Sequence, residues 1–145
     1  MRKVCLLIIA AICLPMMVSC RSEKSKKDSA DKTADVKSQI VGIWENSESN
    51  GDYEDITIIT ADGEFFDVTL IENYGHQLYG HYEMDGNKVM LVRRDEKLGP
   101  FEIKFENNGN NLIWIRPDGE VLKLYRISQQ RYDQLTSNIT DWSYD

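Results

Sequence analysis

Beyond about residue 40 the chain breaks into short apolar runs separated by turn residues, and within those runs the apolar positions recur every second residue. Phe101, Ile103 and Phe105 alternate with Glu102, Lys104 and Glu106, so extended backbone puts the aromatics on one face and the charges on the other. Phe66, Val68 and Leu70 alternate in the same way with Asp67 and Thr69, and Leu78, Gly80, Tyr82 and Met84 with Gln77, Tyr79, His81 and Glu83. Each of these strands is expected to turn its apolar side to a core and its polar side to water. Runs at 89–92, 112–115 and 121–125 are apolar on both sides, so an outer patch there calls for a cover, which the C-terminal segment can provide.

Turn signals fall at Asn50-Gly51, Asp62-Gly63, Tyr74-Gly75, Asp85-Gly86, Leu98-Gly99, Asn108-Gly109 and Asp118-Gly119. Asp-Gly and Asn-Gly pairs supply the positive φ angles of tight hairpins, and bends spaced by about twelve residues or a little less fit a sandwich or barrel. No segment in this span has a helical period long enough to cross over between parallel strands. The predicted fold class is therefore all-β: an eight-stranded up-and-down antiparallel barrel over 39–128. Behind it, Ser128 can cap a short C-terminal helix from Gln129 to about Leu135 with Tyr132 and Leu135 on one side, leading into an acidic tail that completes 129–145.

The first residues follow another logic. Arg2 and Lys3 precede an apolar run, Val4 to Leu14, which has the charged and hydrophobic regions of a secretory signal and is too short to span a bilayer as a helix. It leads into Met17-Val18-Ser19-Cys20, which resembles a lipobox: an apolar residue, a tolerated one, a small one and a cysteine. The expectation is a lipoprotein signal peptide over 1–19, cleaved so that Cys20 becomes the first residue and its sulfur carries the lipid. Several acyl chains, as such proteins carry, convert marginal partition into lasting attachment. Cys5 and Cys13 leave with the signal, so Cys20 has no disulfide partner. Residues 20–38 are rich in Lys, Ser and Asp and cannot bury enough surface to offset ordering, which predicts a disordered tether. Arg21 is compatible with onward transport to the outer membrane, with the periplasmic and surface faces both open.

Charge narrows the partners. The whole chain is −7, yet from Gln39 onward nine basic residues stand against twenty acidic ones. An acidic domain repels phosphates, so nucleic acid is excluded as a partner. Catalytic and metal chemistry find little support. His76 and His81 are five apart and point to opposite faces of a continuous strand, and no thiol remains for a zinc site. Asp52, Glu54 and Asp55 lack the ordered spacing of a calcium loop and read as a solvated acidic turn. No G-x-S-x-G element is present. Neither an enzyme, a metal nor a cofactor is expected.

Gly42-Ile43-Trp44 near the start of the first strand, Ala61-Asp62-Gly63-Glu64-Phe65 at a hairpin, Gly80-His81-Tyr82 before another, and Arg126 closing the last strand together resemble the small lipocalin-like domains of bacterial lipoproteins, especially those of Bacteroidetes. The resemblance covers about Ile40 to Ile127. It implies a lipocalin-like barrel in which Arg126 packs across Trp44 as a cation–π contact, contributing about 0.5–2 kcal/mol, and a protein anchored in the cell envelope. It also implies binding of a small apolar or amphipathic ligand at the barrel's open end, with Trp44, Phe66, Tyr82, Phe105 and Trp114 as the candidate contacts. An eight-stranded barrel is, however, barely wide enough for its own side chains, so the same aromatics fit a packed core. The alternative is a closed barrel without a cavity that presents its surface to another envelope protein, with Trp142 and Tyr144 of the tail either meeting that partner or packing on the barrel.

Overall fold

The computed structural model describes residues 35–49, 51–94 and 96–145; the expected signal peptide, Cys20, the expected tether up to residue 34 and Asn50 of the first expected turn lie outside them. The described chain forms β1 (Gly42–Asn46), β2 (Tyr53–Ile59), β3 (Glu64–Ile71), β4 (Tyr74–Asp85), β5 (Lys88–Arg93), β6 (Glu96–Glu106), β7 (Asn111–Ile115) and β8 (Val121–Ile127), then a C-terminal helix (Gln129–Thr136) and β9 (Asp141–Tyr144). Each of the first eight strands pairs antiparallel with the next, and β8 returns to β1 through Trp44↔Arg126 and Glu45↔Tyr125. The result is a closed eight-stranded up-and-down barrel with one short helix near the C-terminus, which leaves no free edge between its first and last strands.

Two of the seven expected bends lie elsewhere. Tyr74-Gly75 falls inside β4 and Leu98-Gly99 inside β6; the actual reversals sit at Glu72 and Arg94, whose φ angles of 55° and 51° are left-handed although neither residue is glycine. Gly75 has a steric task instead, because a Cβ there would meet the Trp142 ring at 2.7 Å. Gly99, at φ 122°, lies where the β5–β6 register slips between Val89 and Leu91, the kind of local irregularity that a bulge glycine serves.

Two apolar clusters divide the protein. The first fills the barrel with Trp44, Phe65, Tyr82, Val89, Ile103, Leu112, Trp114 and Leu124, and takes in Ile40 from the helical segment 35–40 that precedes β1. The second lies on the outer face of the first three strands: Ile56, Val68 and Leu70 are buried beneath Tyr132 and Leu135 of the C-terminal helix and Ile139 and Trp142 of the tail. Ser128 starts that helix by accepting a hydrogen bond from the Arg131 amide at 3.1 Å. The cover therefore rests on β1–β3 and not on the doubly apolar strands β5, β7 and β8. The tail then adds β9 in parallel to the first half of β4, pairing Gly75 with Trp142 and Gln77 with Tyr144, so Trp142 packs on the chain itself.

This second layer reverses one strand's facing. Phe65 belongs to the interior and Phe66 to the outer cluster, so by alternation Asp67 and Thr69 point into the barrel. The polar side of β3, expected in water, lines the interior.

Candidate functional site

The two ends of the barrel are built differently. At the closed end, where β1 and β8 meet, Trp44 is fully buried, its Nε1 donating to the Ile40 carbonyl at 2.8 Å. The Arg126 guanidinium lies 4.2 Å from the Trp44 ring centroid. It donates to the carbonyls of Gln39 at 2.6 Å, Val41 at 2.7 Å and Gly109 at 3.2 Å. A cation suits the terminus of the helical segment, whose last carbonyls have no intrahelical partner. Gly42 makes room for it, because a Cβ there would stand 2.3 Å from Arg126 Nη1. Burial lowers the pKa of Arg126. Phe105 packs at 6.4 Å from Trp44, and Tyr82 donates its hydroxyl to the Thr60 carbonyl at 2.9 Å. Every polar atom named here has a partner, and this end is a plug.

The opposite end holds a partly enclosed cavity of about 350 Å³. One wall is polar and comes from β2 and β3: Tyr53, Asp55 and Thr57 on one strand, Asp67 and Thr69 on the next. The rest of the lining is largely apolar, with Leu78 beside Asp67 and Leu91, Phe101, Trp114 and Leu122 beyond it, where Phe101 and Trp114 are in ring contact at 5.2 Å. Asn46 and Arg116 also border the space.

The carboxylates of the polar wall have neutral hydrogen-bond partners. Thr57 donates to Asp67 at 2.9 Å, and the Asn46 amide donates to Asp55 at 3.4 Å. Burial raises the pKa of both Asp55 and Asp67. The hydrogen bonds from Asn46 and Thr57 oppose it, and at Asp67 the Asp55 charge raises the value further while Arg93 lowers it. Burial, then the Asp55 charge, also raises the Tyr53 hydroxyl. Of the nearby arginines, Arg116, which borders the cavity, pairs with Glu120, and Arg93, whose charge reaches Asp67, lies 3.7 Å from Glu96.

Of the five aromatics expected to contact a ligand, only Trp114 lines the cavity. Trp44, Tyr82 and Phe105 belong to the barrel's packed interior away from it. Phe66 is on the other side of the sheet, against Tyr79 at 5.3 Å and the outer cluster. The acidic run is likewise divided by strand alternation. Asp55 faces the cavity, whereas Glu54 pairs across from Leu70 on the outer face and is buried, with Oε2 lacking a hydrogen-bond partner among the described residues. His76 and His81 lie on opposite faces of β4; His76 contacts Ser143 Oγ at 2.5 Å. No group of three metal-ligating side chains occurs among the described residues.

No family model and no curated protein matches the chain. Among solved structures, it is similar to a lipoprotein YedD from Klebsiella pneumoniae subsp. pneumoniae, with a TM-score of 0.44 and 16% identity over 68% of this chain and 85% of that one.

Proposed function

We propose that this chain is a lipocalin-like lipoprotein of the cell envelope, anchored through Cys20, whose barrel binds a small apolar or amphipathic ligand. The observation that carries the binding role is the cavity of about 350 Å³ with one polar and one apolar wall. Small-molecule sites run from about 300 to 1,000 Å³ and combine apolar lining with a few placed polar groups. The anchoring role rests on the order of charged leader, apolar run, small residue and cysteine. The reading as a surface for another envelope protein loses one support, because Trp142 packs over Gly75 of the same chain.

Native mass spectrometry of the chain extracted from its own cells tests the binding role. A small molecule should be retained by the unaltered protein and lost from Leu91→Trp, which fills the cavity from its apolar wall. A chain that carries nothing, or carries the same mass after the cavity is filled, overturns this role. For the anchor, Cys20→Ala should move the protein from the membrane fraction to the soluble one; continued attachment overturns it.

A further inference from the structure

We propose that the cavity selects an organic cation, an ammonium carried on an apolar or aromatic body, with Asp55 and Asp67 receiving the charge and Trp114 and Phe101 receiving the body. This rests on the binding role proposed above and specifies the chemistry of that site. Four observations lead to it.

First, the polar groups are segregated. Both carboxylates come from the β2–β3 wall and both aromatic rings from the β6–β7 wall. A purely apolar ligand would leave the first wall without partners, and a small inorganic ion would leave the second idle. A molecule with a charged end and an apolar body matches both.

Second, the sign is set by what the carboxylates lack. Neither Asp55 nor Asp67 is within 4.0 Å of a basic nitrogen among the described residues: Arg93, whose charge reaches Asp67, and Arg116, which borders the cavity, pair with Glu96 and Glu120, and Arg126 lies at the other end. Their partners, Thr57 and Asn46, are neutral donors. Third, burial and then the Asp55 charge raise the pKa of Asp67 against the opposing Thr57 hydrogen bond and Arg93 charge, so negative charge at this wall carries a cost. A bound ammonium relieves that cost by forming charge-assisted hydrogen bonds, which are roughly twice as strong as neutral ones. Fourth, an aromatic face attracts a cation or an aromatic body, so the Trp114–Phe101 pair suits the rest of such a ligand. A divalent metal is the poorer fit, since no third metal-ligating side chain joins the two aspartates among the described residues.

Isothermal titration of the full chain with three probes of one shape tests the charge: tryptamine, tryptophol and indole-3-acetate carry an ammonium, a hydroxyl and a carboxylate on the same indole. Tryptamine is expected to bind at least about tenfold more tightly than tryptophol, the scale of one charge-assisted hydrogen bond, and indole-3-acetate more weakly than both. In Asp55→Asn/Asp67→Asn, tryptamine and tryptophol should bind alike, while Glu83→Gln/Glu102→Gln, which removes two charges from the outer surface, should keep the preference. If the double aspartate variant fails to fold, Leu78→Lys supplies a second reading. Its ammonium enters the cavity from the position paired with Asp67 and should abolish tryptamine binding while the barrel stays folded.

Equal binding of tryptamine and tryptophol to the unaltered chain overturns the cation and leaves the cavity reading intact. Binding of none of the three overturns the cation as well, and the retained-ligand measurement then decides separately whether the cavity is a site at all. Calcium binding that disappears in the double variant, with tryptamine inert, overturns it in favour of a metal.

Discussion

At its Trp44 end the barrel is filled, and the Arg126 guanidinium has three carbonyl acceptors and an aromatic face. At its Trp114 end the same sheet leaves about 350 Å³ open, with two carboxylates that have only neutral partners. The difference comes from what covers the outside. On β6 the interior side carries Ile103 and Phe105 and the outer side Glu102 and Lys104. On β2 and β3 the outer side is the apolar one, because the C-terminal helix and tail bury it. A strand whose outer face is already supplied with apolar contacts can carry polar side chains on its inner face, and the mixed walls of the cavity follow from that second layer.

If one end is structural and the other is not, equal truncations should cost unequal amounts. Trp44→Ala is expected to lose about 3–5 kcal/mol, the range for removing a large buried aromatic, measured by denaturant unfolding. Trp114→Ala should lose clearly less, since the ring already borders open space. Equal losses would break the contrast. Next in size is Arg126→Leu, which keeps an apolar stem against Trp44 but removes the ring contact and three donors. A loss of about 2 kcal/mol is expected from hydrogen bonds to a charged group and the cation–π contact together. A stability unchanged in this variant would show that the plug is held by Trp44 packing alone.

The sequence carried the closed end more fully than the open one, and the reasons are local. Gly42 and Trp44 form a short pattern at the start of the barrel and Arg126 lies at its end, and their physical relation is direct: the glycine leaves the space that the guanidinium takes above the indole. The number of strands survived two misplaced bends because Gly75 and Gly99 lie only a few residues beyond the real reversals at Glu72 and Arg94. Those reversals use non-glycine residues in a left-handed conformation, which leaves no composition signal. The cavity was hidden by a symmetry of the alternating pattern. Asp67 and Thr69 against Phe66, Val68 and Leu70 reads the same whichever face is inside, and only the cover over β1–β3 decides it. One signal was available: β2 repeats the arrangement, with Tyr53, Asp55 and Thr57 against Ile56 and Ile58. Two adjacent strands with the same polar side, followed by a helix presenting Tyr132 and Leu135, point to a buried outer face.

That second layer gives the third prediction. Trp142 is half-buried over Gly75, beside Ile139, so Trp142→Ala should cost about 1–2 kcal/mol for the area exposed. The loss should leave tryptamine affinity unchanged, because Trp142 packs outside the barrel wall. Gly75→Ala approaches the same contact from the other partner and should show a similar loss. If Trp142→Ala weakens ligand binding as much as stability, the outer layer and the cavity are coupled, and the division between them fails.

The smallest effect is the most specific to the open end. In the folded chain Asp67 holds its proton more tightly than in the unfolded chain, chiefly through burial and then through the Asp55 charge, with Thr57 and Arg93 opposing. Below the ordinary carboxylate pKa of about 3.9 both states are protonated and the shift costs nothing. As pH rises from there through the raised folded value, the native state binds more protons than the unfolded one, so stability falls, and above that value the penalty stays constant. Asp67→Asn removes the penalty. Its melting temperature should exceed that of the unaltered protein at pH 7.5, and the gain should shrink toward zero near pH 3.5. The difference between the two proteins isolates this group from the remaining carboxylates, which titrate in both. Glu102→Gln on the outer surface of β6 should show no such gain. A destabilised Asp67→Asn at pH 7.5 would mean that the bond from Thr57 outweighs burial, and that the carboxylate is a structural acceptor like the carbonyls around Arg126.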